Sequence, residues 1–592
     1  RWFEDPAHQV AILIAGTGAG KSTALPYTLI YPPEGERADL FTEHGTIMVT
    51  QPRIEAASGV SNYVSELIGC HVGKGQMVGV RHSKSRDTAD FNNMVSYATE
   101  GSVLNYLKQG QLAQISTLII DEAHERSLNI DVILRLVKRR LKQFPHLKVI
   151  ITSATIDEMM FRDFFGTHTA TVIHLSGEQR KFQIIHSFAD EGERLPYEDL
   201  ARLRRIVVNR ALKKAQDLFI GMSKGTVKKG YMLVFLYSIR SIKAAVEEMT
   251  VFFDSNDYFA GKAVAMQLHS KMSREEQERA VRATPDKEFK VVFSTNLAET
   301  SLTIDKLMHV VDAGIINENQ WDSRTQTEMI VPVLHSKSGC RQRWGRVGRK
   351  EDGYAYCLYT EDQFNALFPE HTTPEIQRSN LQPVSLALKS AGIGGADGDG
   401  WLAMPDKSEI ERSDRVLMQQ GFLDEDGDIT THGDTLMRFM DAMDVAPLIT
   451  AAIRYGCAVE MATVLPILSF GGKRDLLLWD RQWDVYRKYE VHNRQMFLMR
   501  DCADDVDFVL RIMKIFFAAR DESHRKSIAE YFSLNYAVIK EVMKDRDSIL
   551  QKMQSSMKDL DLSGIREIDF ALADAVRIIF SFYLPVYRKI SQ

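Results

Sequence analysis

The chain has 592 residues, of which 44% are hydrophobic and 26% are charged, with 36 Gly and 16 Pro. This composition is typical of globular proteins and excludes collagen-like, disordered and low-complexity chains. At roughly 150 residues per domain, the length predicts about four domains. The 74 Lys and Arg against 79 Asp and Glu give a formal charge of −5. That balance excludes a histone-like coat for nucleic acid but not an internal basic groove.

Cysteine and hydropathy patterns limit the cellular context. The five cysteines are scattered and form no Cys-x-x-Cys pair. We therefore expect no disulfide framework, no zinc site and an intracellular, reducing compartment, with cytoplasm and nucleus both open. No apolar run is long enough for a membrane span. The sequence begins at Arg1 with no signal peptide behind it, so we expect a piece of a longer chain.

Residues 1–175 alternate short apolar runs with helical segments. β-branched residues are frequent in the runs at 11–16, 45–51, 116–124 and 148–155. Continuous apolar strands that alternate with helices form parallel sheets covered on both faces, which predicts an α/β domain. Residues 176–362 repeat the pattern, with runs such as YMLVFLYS and FKVVFSTN. The sequence therefore predicts two α/β domains in tandem.

The pattern changes after about residue 363. Residues 363–440 read as a helix, a tight Asp-Gly-Asp turn, a short strand pattern and a helix, an order that suits a small winged-helix domain. Residues 441–592 place Leu, Met, Ala and Ile at three- and four-residue spacing. That spacing predicts an all-helical domain.

The segment AGTGAGKST at 15–23 follows a buried strand and precedes a helix. It fits the phosphate-loop pattern, except that Ala15 replaces the first glycine. Small residues allow successive backbone N–H groups to point at a polyphosphate, while the lysine reaches the β and γ phosphates and the hydroxyl binds Mg²⁺. The predicted nucleotide-binding residues are Gly16, Thr17, Gly18, Ala19, Gly20, Lys21, Ser22 and Thr23.

The segment IIDEAH at 119–124 is the natural partner of this loop. An apolar strand that ends in two carboxylates places them at the carboxyl edge of a parallel sheet, where ligands bind. Asp121 is predicted to hold Mg²⁺ together with Ser22, and Glu122 to polarise the attacking water. Together the two motifs predict an NTPase.

The segment QRWGRVGR at 342–349 lies at the far end of the second α/β domain. Arg346 and Arg349 are three residues apart, so on a helix they would share a face. A planar guanidinium suits the charge that develops on a γ-phosphate. We assign Gln342, Arg346 and Arg349 to the catalytic set with Lys21, Asp121 and Glu122. The arginines can reach the phosphate loop only if the two domains close together.

These motifs, in this order, resemble the DEAH/RHA group of superfamily 2 helicases. The motifs that carry the resemblance are AGTGAGKST, TQPRIEAA (50–57), ATEG (98–101), DEAH (121–124), SAT (153–155), LVFLYS (233–238), LHSKMSREEQ (268–277), STNLAETSLTID (294–305), QRWGRVGR and TTPEIQRSNL (372–381). The resemblance covers residues 8–470 well and the remainder loosely. It implies RecA-like domains at 1–175 and 176–362, a winged-helix domain at 363–440 and a ratchet-like helical bundle at 441–592. No run of five short strands follows, so we expect no OB-fold within the sequence.

The resemblance implies an RNA translocase that moves 3′ to 5′ on a single strand and displaces what is paired or bound ahead. Its implied cofactors are ATP, with other NTPs accepted, and Mg²⁺. Its implied partners are single-stranded or partly duplex RNA and an activating protein, with no membrane, and a monomeric motor is expected. In the family, a hairpin between the motifs that correspond to STNLAETSLTID and QRWGRVGR serves as a wedge. Residues 313–333 have strand–turn–strand character that suits such a hairpin, although a plain surface hairpin stays open.

The resemblance also implies roles for single residues. The residues that would relay hydrolysis to the nucleic-acid groove are His124, Ser153 and Thr155. The residues that would contact the RNA backbone are Arg53 and Thr99 from the first domain and Thr295 and Asn296 from the second. Asp305 would meet the nucleotide. The family sandwiches the base between Arg and Phe, whereas Tyr63 and Val281 occupy the aligned positions here, so base stacking departs from the family's pattern.

Two alternative functions stay open at this point. A DNA helicase would share every motif named above, because discrimination rests on contacts to the 2′-hydroxyl that the sequence does not reveal. An NTP-gated RNA clamp would bind without turnover. The intact catalytic set argues against the clamp.

Overall fold

The computed structural model describes residues 3, 5, 7–15, 19–32, 41, 43–82, 89–153, 158–175, 182–299, 304–349, 351–392, 400–437, 446–469, 476–479, 483–556 and 568–583. The chain divides into two compact units. The first unit comprises Arg1–Ser323, Thr327–Asn380 and Asp397–Lys407. The second unit comprises Arg324–Gln326, Leu381–Ala396 and Ser408–Gln592.

The first unit contains a sheet of seven parallel strands in the order β3-β4-β2-β5-β6-β1-β7. Its strands are β1 Val10–Ile14, β2 Thr46–Gln51, β3 Val78–Arg81, β4 Val95–Thr99, β5 Ile115–Ile120, β6 Lys148–Ser153 and β7 Ala170–His174. Its helices are α1 Ala24–Ile30, α2 Ile54–Ile68, α3 Glu100–Lys108, α4 Leu128–Arg140 and α5 Glu158–Phe165. Every residue of β2, β5 and β6 is buried, which explains why each of these strands contains three consecutive apolar residues instead of an alternating pattern.

A second sheet in the same unit has six parallel strands in the order β10-β11-β9-β12-β15-β8. Its strands are β8 Ile184–Ser187, β9 Tyr231–Phe235, β10 Ala263–Leu268, β11 Phe289–Ser294, β12 Leu307–Asp312 and β15 Gly353–Cys357. Its helices are α6 Leu200–Ser223, α7 Ile239–Asp254, α8 Arg274–Val281, α9 Lys337–Trp344 and α10 Glu361–Leu367. The prediction of two parallel-sheet α/β domains is confirmed.

The strand–turn–strand prediction for residues 313–333 is also confirmed. Strands β13 Ile315–Asp322 and β14 Thr327–Leu334 form an antiparallel hairpin, with Asp322 opposite Thr327 at the turn.

The second unit is mainly helical where it is described. Its helices are α11 Gln382–Ser390, α12 Lys407–Gln419, α13 Thr431–Met437, α14 Ala446–Arg454, α15 Ala458–Ser469, α16 Val485–Met499, α17 Asp505–Ala518, α18 Glu522–Phe532, α19 Tyr536–Ser556 and α20 Ala573–Tyr583. A bridge between Leu423 and Ile429 encloses the Asp-Gly-Asp turn. One buried cluster joins Leu386 and Phe422 to Leu510 and Ile579.

The winged-helix and ratchet-like assignments stay predictions, as do the domain boundaries. The predicted boundary at 440 falls outside the described residues. Helix α10 crosses the predicted boundary at 362, and residues up to Asn380 belong to the first unit. All five cysteines are free thiols. Among the described residues, none of the helices has the length and hydropathy needed to cross a bilayer.

A buried arginine stabilises the second sheet. Arg343 is 1% exposed, and its guanidinium lies 2.7 Å from Asp312 Oδ1 and 3.2 Å from Glu299 Oε2. Burial opposes the charge of this side chain, but Asp312 and Glu299 raise the pKa of Arg343 above its ordinary value. The Tyr359 hydroxyl also donates to Asp312.

We expect Arg343→Met to lower the free energy of unfolding of the first unit by about 3–5 kcal/mol, because it leaves buried carboxylates without their cation. Chemical denaturation followed by circular dichroism measures this change. Arg341→Met is the matched control, since Arg341 pairs with Glu370 at the surface and such pairs contribute about 1 kcal/mol or less. Equal effects of the two substitutions would contradict the structural role of Arg343.

Candidate active site

The carboxyl ends of the central strands of the first sheet meet at one edge. Strands β2, β5, β6 and β1 are neighbours in that order and all run parallel. The phosphate loop follows β1, and the DEAH segment follows β5. The fold therefore brings together motifs that lie about 100 residues apart in the sequence, at the edge where α/β proteins bind ligands.

Asp121 is at the centre of this edge and is fully buried. Its Oδ2 atom accepts hydrogen bonds from Ser22 Oγ at 2.5 Å and from Gln51 Nε2 at 2.8 Å. Its Oδ1 atom accepts from Thr152 Oγ1 at 2.5 Å. The prediction that Ser22 and Asp121 share one site agrees with this geometry. Gln51 and Thr152 fix the orientation of the carboxylate from the two flanking strands.

The described part of the phosphate loop places its cation inside the site. Lys21 is 5% exposed, and its Nζ donates to the Ala15 carbonyl at 3.0 Å. Gly20 has φ +78°, and a Cβ there would lie 2.8 Å from Ala24 Cβ, so a side chain at this position would strain the turn into α1. Ala19 is exposed, and Thr23 precedes α1. Predicted residues Gly16, Thr17 and Gly18 lie outside the described residues.

The donors at this edge suit a magnesium ion. Ser22 Oγ and the Asp121 carboxylate are hard oxygen ligands, and Mg²⁺ in nucleotide sites binds one or two such protein groups plus phosphates. Among the described residues, no cluster of three or more His, Cys, Asp or Glu could hold a metal by itself. The two oxygens would therefore hold Mg²⁺ only together with a nucleotide.

Glu122 adopts a rare backbone conformation, with φ +52°. A non-glycine residue pays about 1–3 kcal/mol for such a conformation and keeps it only where the surroundings impose it. Burial, and next the neighbouring Asp121, raises the pKa of Glu122 to about 7, whereas Lys21 and Arg346 oppose the rise. Arg346 belongs to the second sheet and is 5% exposed. A cation from each sheet therefore acts on the same carboxylate.

The two arginines of QRWGRVGR do not share a helical face, so that expectation was wrong. Helix α9 ends at Trp344, and Gly348 has φ +71°, a value that interrupts helical geometry. Arg346 is buried and Arg349 is exposed. The charge of Arg346 acts on Glu122.

His124 links the DEAH segment to the end of β6. Its Nδ1 lies 3.3 Å from Ser153 Oγ and 3.3 Å from Glu122 Oε2. Burial, and next Lys21, lowers the pKa of His124 to about 4, so its imidazole is neutral at neutral pH. His124 and Ser153, two of the three residues predicted to relay hydrolysis, are therefore in contact. The third, Thr155, lies outside the described residues.

A cleft of about 320 Å³ separates the two sheets beside His124. Gln342 of α9 lines it, and so do Arg53 and Asn296, two of the predicted nucleic-acid contacts. Arg53 crosses the interface, since its Nη1 donates to the Leu297 carbonyl at 3.4 Å. The structure thus brings Arg53 and Asn296 together, because both line the same cleft as His124.

The remaining predicted residues lie further from this cleft or have local partners. Thr99 is the last residue of β4, in register with Gln51, and its Oγ1 lies 3.0 Å from Ser102 Oγ. Thr295 Oγ1 accepts from the Leu297 N–H at 3.4 Å. Asp305 Oδ2 accepts from the Ala283 N–H at 3.0 Å, so its carboxylate caps the backbone after α8.

The two positions aligned with the family's base sandwich, Tyr63 and Val281, differ in their exposure to solvent. Tyr63 on α2 is 52% exposed. Val281 at the end of α8 is half-buried against the apolar cluster of the second sheet.

Sequence reasoning missed Gln51 and Thr152, although both stand at strand ends that flank β5. Thr50 was missed as well, and its hydroxyl accepts from the Asp121 N–H at 3.0 Å. In the sequence, these residues are marked only as polar residues near the end of an apolar run. They can be assigned as partners of Asp121 only when the lateral order of the strands is known.

Comparisons with known proteins agree with this geometry. Residues 6–162 match the DEAD/DEAH box helicase family, and residues 212–351 match the helicase conserved C-terminal domain. The chain belongs to the DEAD/DEAH box helicases. The two matched segments cover most of the first sheet and most of the second sheet respectively.

The chain is similar to parts of two longer relatives. It is 31% identical over 498 residues to the ATP-dependent RNA helicase HrpA of Escherichia coli (strain K12), and this alignment covers 82% of the chain and 35% of HrpA. The crystal structure of the Escherichia coli DEAH/RHA helicase HrpB aligns with a TM-score of 0.65 and 25% identity over 79% of this chain and 55% of HrpB. The helicase chain thus spans about a third of HrpA and about half of HrpB.

Beside the site, Glu100 at the start of α3 is a buried carboxyl whose Oε2 accepts from Ser127 Oγ at 2.5 Å. Burial raises the pKa of Glu100 to about 8, with smaller contributions from Glu125 and Glu375, although the Ser127 hydrogen bond opposes them. Because the folded pKa exceeds the ordinary value of 4.5, the protonated group favours folding. This stabilisation is complete below about pH 4.5 and is lost as the pH rises through about 8.

We expect Glu100→Gln to remove this pH dependence. Thermal unfolding between pH 6 and pH 9 should show a melting temperature that falls less steeply in the variant, with a difference at pH 9 equivalent to a few kcal/mol. Parallel curves for the two proteins would show that Glu100 is ionised throughout.

Proposed function

We propose that this chain is the motor of an NTP-dependent RNA helicase, in which hydrolysis between the two sheets drives 3′ to 5′ movement on single-stranded RNA. The observation that carries the proposal is the composite site. Asp121 and Glu122 come from the first sheet, and the Arg346 charge that acts on Glu122 comes from the second. Because the site needs both sheets, hydrolysis depends on their relative position, and a motor requires that dependence.

In this mechanism each residue has a defined task. Lys21 would neutralise the β and γ phosphates, and Ser22 and Asp121 would hold Mg²⁺, which would supply charge neutralisation at the transferring phosphate. Glu122 orients the attacking water and accepts its proton. Arg346 stabilises the charge that develops on the γ-phosphate.

We assign the coupling between hydrolysis and RNA binding to the residues that line the cleft beside His124. His124 contacts Ser153 on one side and lines the cleft that Arg53 and Asn296 share. Backbone contacts from such polar and cationic groups bind RNA without reading its sequence, and they weaken with salt. The β13–β14 hairpin would separate strands ahead of this path. ATP and other NTPs, Mg²⁺ and an activating protein complete the proposal, with the chain acting as a monomer.

The proposal is tested by ATP hydrolysis with and without single-stranded RNA at two salt concentrations. RNA should stimulate hydrolysis, and the stimulation should fade at the higher salt concentration. Glu122→Gln and Lys21→Ala should each abolish turnover. Single-stranded DNA of the same sequence is the parallel arm, and equal stimulation by DNA would favour the DNA helicase. Nucleotide-dependent RNA binding without turnover would favour the clamp.

We expect Arg346→Ala to leave nucleotide binding within about threefold and to lower the hydrolysis rate by about 10³-fold or more, because such an arginine acts mainly on the transition state. Titration with a fluorescent ADP and steady-state kinetics separate the two effects. Arg349→Ala, at the exposed position of the same motif, is the companion variant. A near-normal rate for Arg346→Ala would mean that the two sheets do not share one site.

A further inference from the structure

A short segment after α10, residues 372–378, contacts both the DEAH loop and the hairpin. It contains a single 3₁₀ turn, Glu375–Gln377. The segment belongs to the same unit as both sheets. The phosphate chemistry described above uses none of its residues.

Glu375 attaches the segment to the helix that follows the DEAH loop. Its Oε2 accepts from the Leu128 N–H at 2.8 Å, at the first turn of α4. Its own N–H donates to the Arg126 carbonyl at 3.1 Å. A carboxylate at a helix N-terminus satisfies a backbone donor and favours the helix dipole. The position of Glu375 therefore follows the position of residues 126–128.

Arg378 attaches the same segment to the hairpin. Its Nη1 donates to the Asn319 carbonyl at 2.9 Å, and its guanidinium lies 3.4 Å from Glu318 Oε1. The Arg378 carbonyl accepts from the Trp321 N–H at 2.8 Å. Three contacts with β13 thus depend on one residue.

The two attachments join in one ion pair. Glu375 Oε1 lies 3.6 Å from Arg378 Nη2, while the other carboxylate oxygen accepts from the α4 N-terminus. The carboxylate therefore bridges the DEAH side and the hairpin side. Arg378 is 15% exposed and Glu375 is 38% exposed, so the arginine end of the pair is partly desolvated while the carboxylate end is open to solvent.

Three further observations place the segment at a junction. Thr372 Oγ1 lies 3.0 Å from Ser336 Oγ, the N-cap of α9, which leads into the arginine motif. Glu375 and Arg378 both line the cleft beside His124. The charge of Glu375 also contributes to the raised pKa of Glu125, to which burial contributes most. The segment therefore contacts or faces the DEAH loop, the arginine helix and the hairpin.

We propose that the Glu375–Arg378 bridge transmits the state of the nucleotide site to the β13–β14 hairpin. Both residues are positioning residues rather than catalytic ones. The inference rests on the proposed function, because it assigns the route by which hydrolysis reaches the strand-separating element. A rearrangement of residues 122–128 moves the N-terminus of α4. The bridge then carries that displacement to Glu318, Asn319 and Trp321.

Three variants separate this role from a merely structural one. Glu375→Gln keeps an oxygen for the Leu128 N–H but loses the charge that pairs with Arg378. Arg378→Met loses the hairpin contacts, and Arg378→Lys restores the charge. Glu191→Gln is the matched control, since Glu191 and Arg194 form an exposed pair of the same spacing.

The first readout is hydrogen exchange at the backbone amides of residues 315–334, with and without Mg²⁺ and a non-hydrolysable ATP analogue. In the wild type and in Glu191→Gln, the nucleotide should change exchange in the hairpin. In Glu375→Gln and Arg378→Met that change should be lost, and Arg378→Lys should regain part of it. A wild-type hairpin that does not respond to nucleotide, or variants that respond fully, would overturn the inference.

The second readout is the number of RNA strands displaced per ATP hydrolysed. In Glu375→Gln and Arg378→Met this ratio should fall by about five- to thirtyfold, as expected for the loss of a coupling free energy of about 1–2 kcal/mol, while hydrolysis without RNA stays within about twofold. A parallel loss of RNA-free hydrolysis would mean a structural role and would overturn the inference. If the wild type hydrolyses ATP but displaces no strand, the proposed function fails, and the exchange experiment alone then decides whether the bridge links the two elements.

Discussion

The structure depends on one buried carboxylate, that of Asp121, where three parallel strands end side by side. Hydrogen bonds from Ser22, Gln51 and Thr152 hold both of its oxygens. A buried charge is tolerated only where its lone pairs are satisfied, so these partners are required before any chemistry occurs. The phosphate loop, the DEAH loop and the end of β6 are consequently fixed relative to one another, and Glu122 and His124 are oriented from that fixed point.

The second sheet contributes charge to the candidate site. Arg346 acts on Glu122, while Arg343, three residues earlier, is neutralised by Asp312 and Glu299 within its own sheet. One short motif thus supplies both a structural cation and a cation for the site. This division allows the second sheet to stay intact while its distance from Glu122 changes, which is the movement that a nucleotide-driven motor needs.

Much of this could be predicted from the sequence because buried parallel strands appear as continuous apolar runs, and because the phosphate loop and DEAH segment are local motifs. Gln51 and Thr152 could not be predicted as partners of Asp121, since strand order is set by long-range pairing that the local sequence does not encode. The helical reading of Arg346 and Arg349 was wrong because α9 ends before them. The Glu375–Arg378 bridge could not be predicted either, because its partners lie about 55 to 250 residues away.

The most direct test of the composite site is a structure of the protein with Mg²⁺, ADP and beryllium fluoride. We expect the fluoride group, which stands in for the γ-phosphate, to lie within hydrogen-bond distance of both Lys21 and Arg346. We also expect Ser22 and Asp121 to lie at the metal and Glu122 to face the attacking position. A complex in which the nucleotide contacts the first sheet alone, with Arg346 directed elsewhere, would show that the two sheets do not share one site.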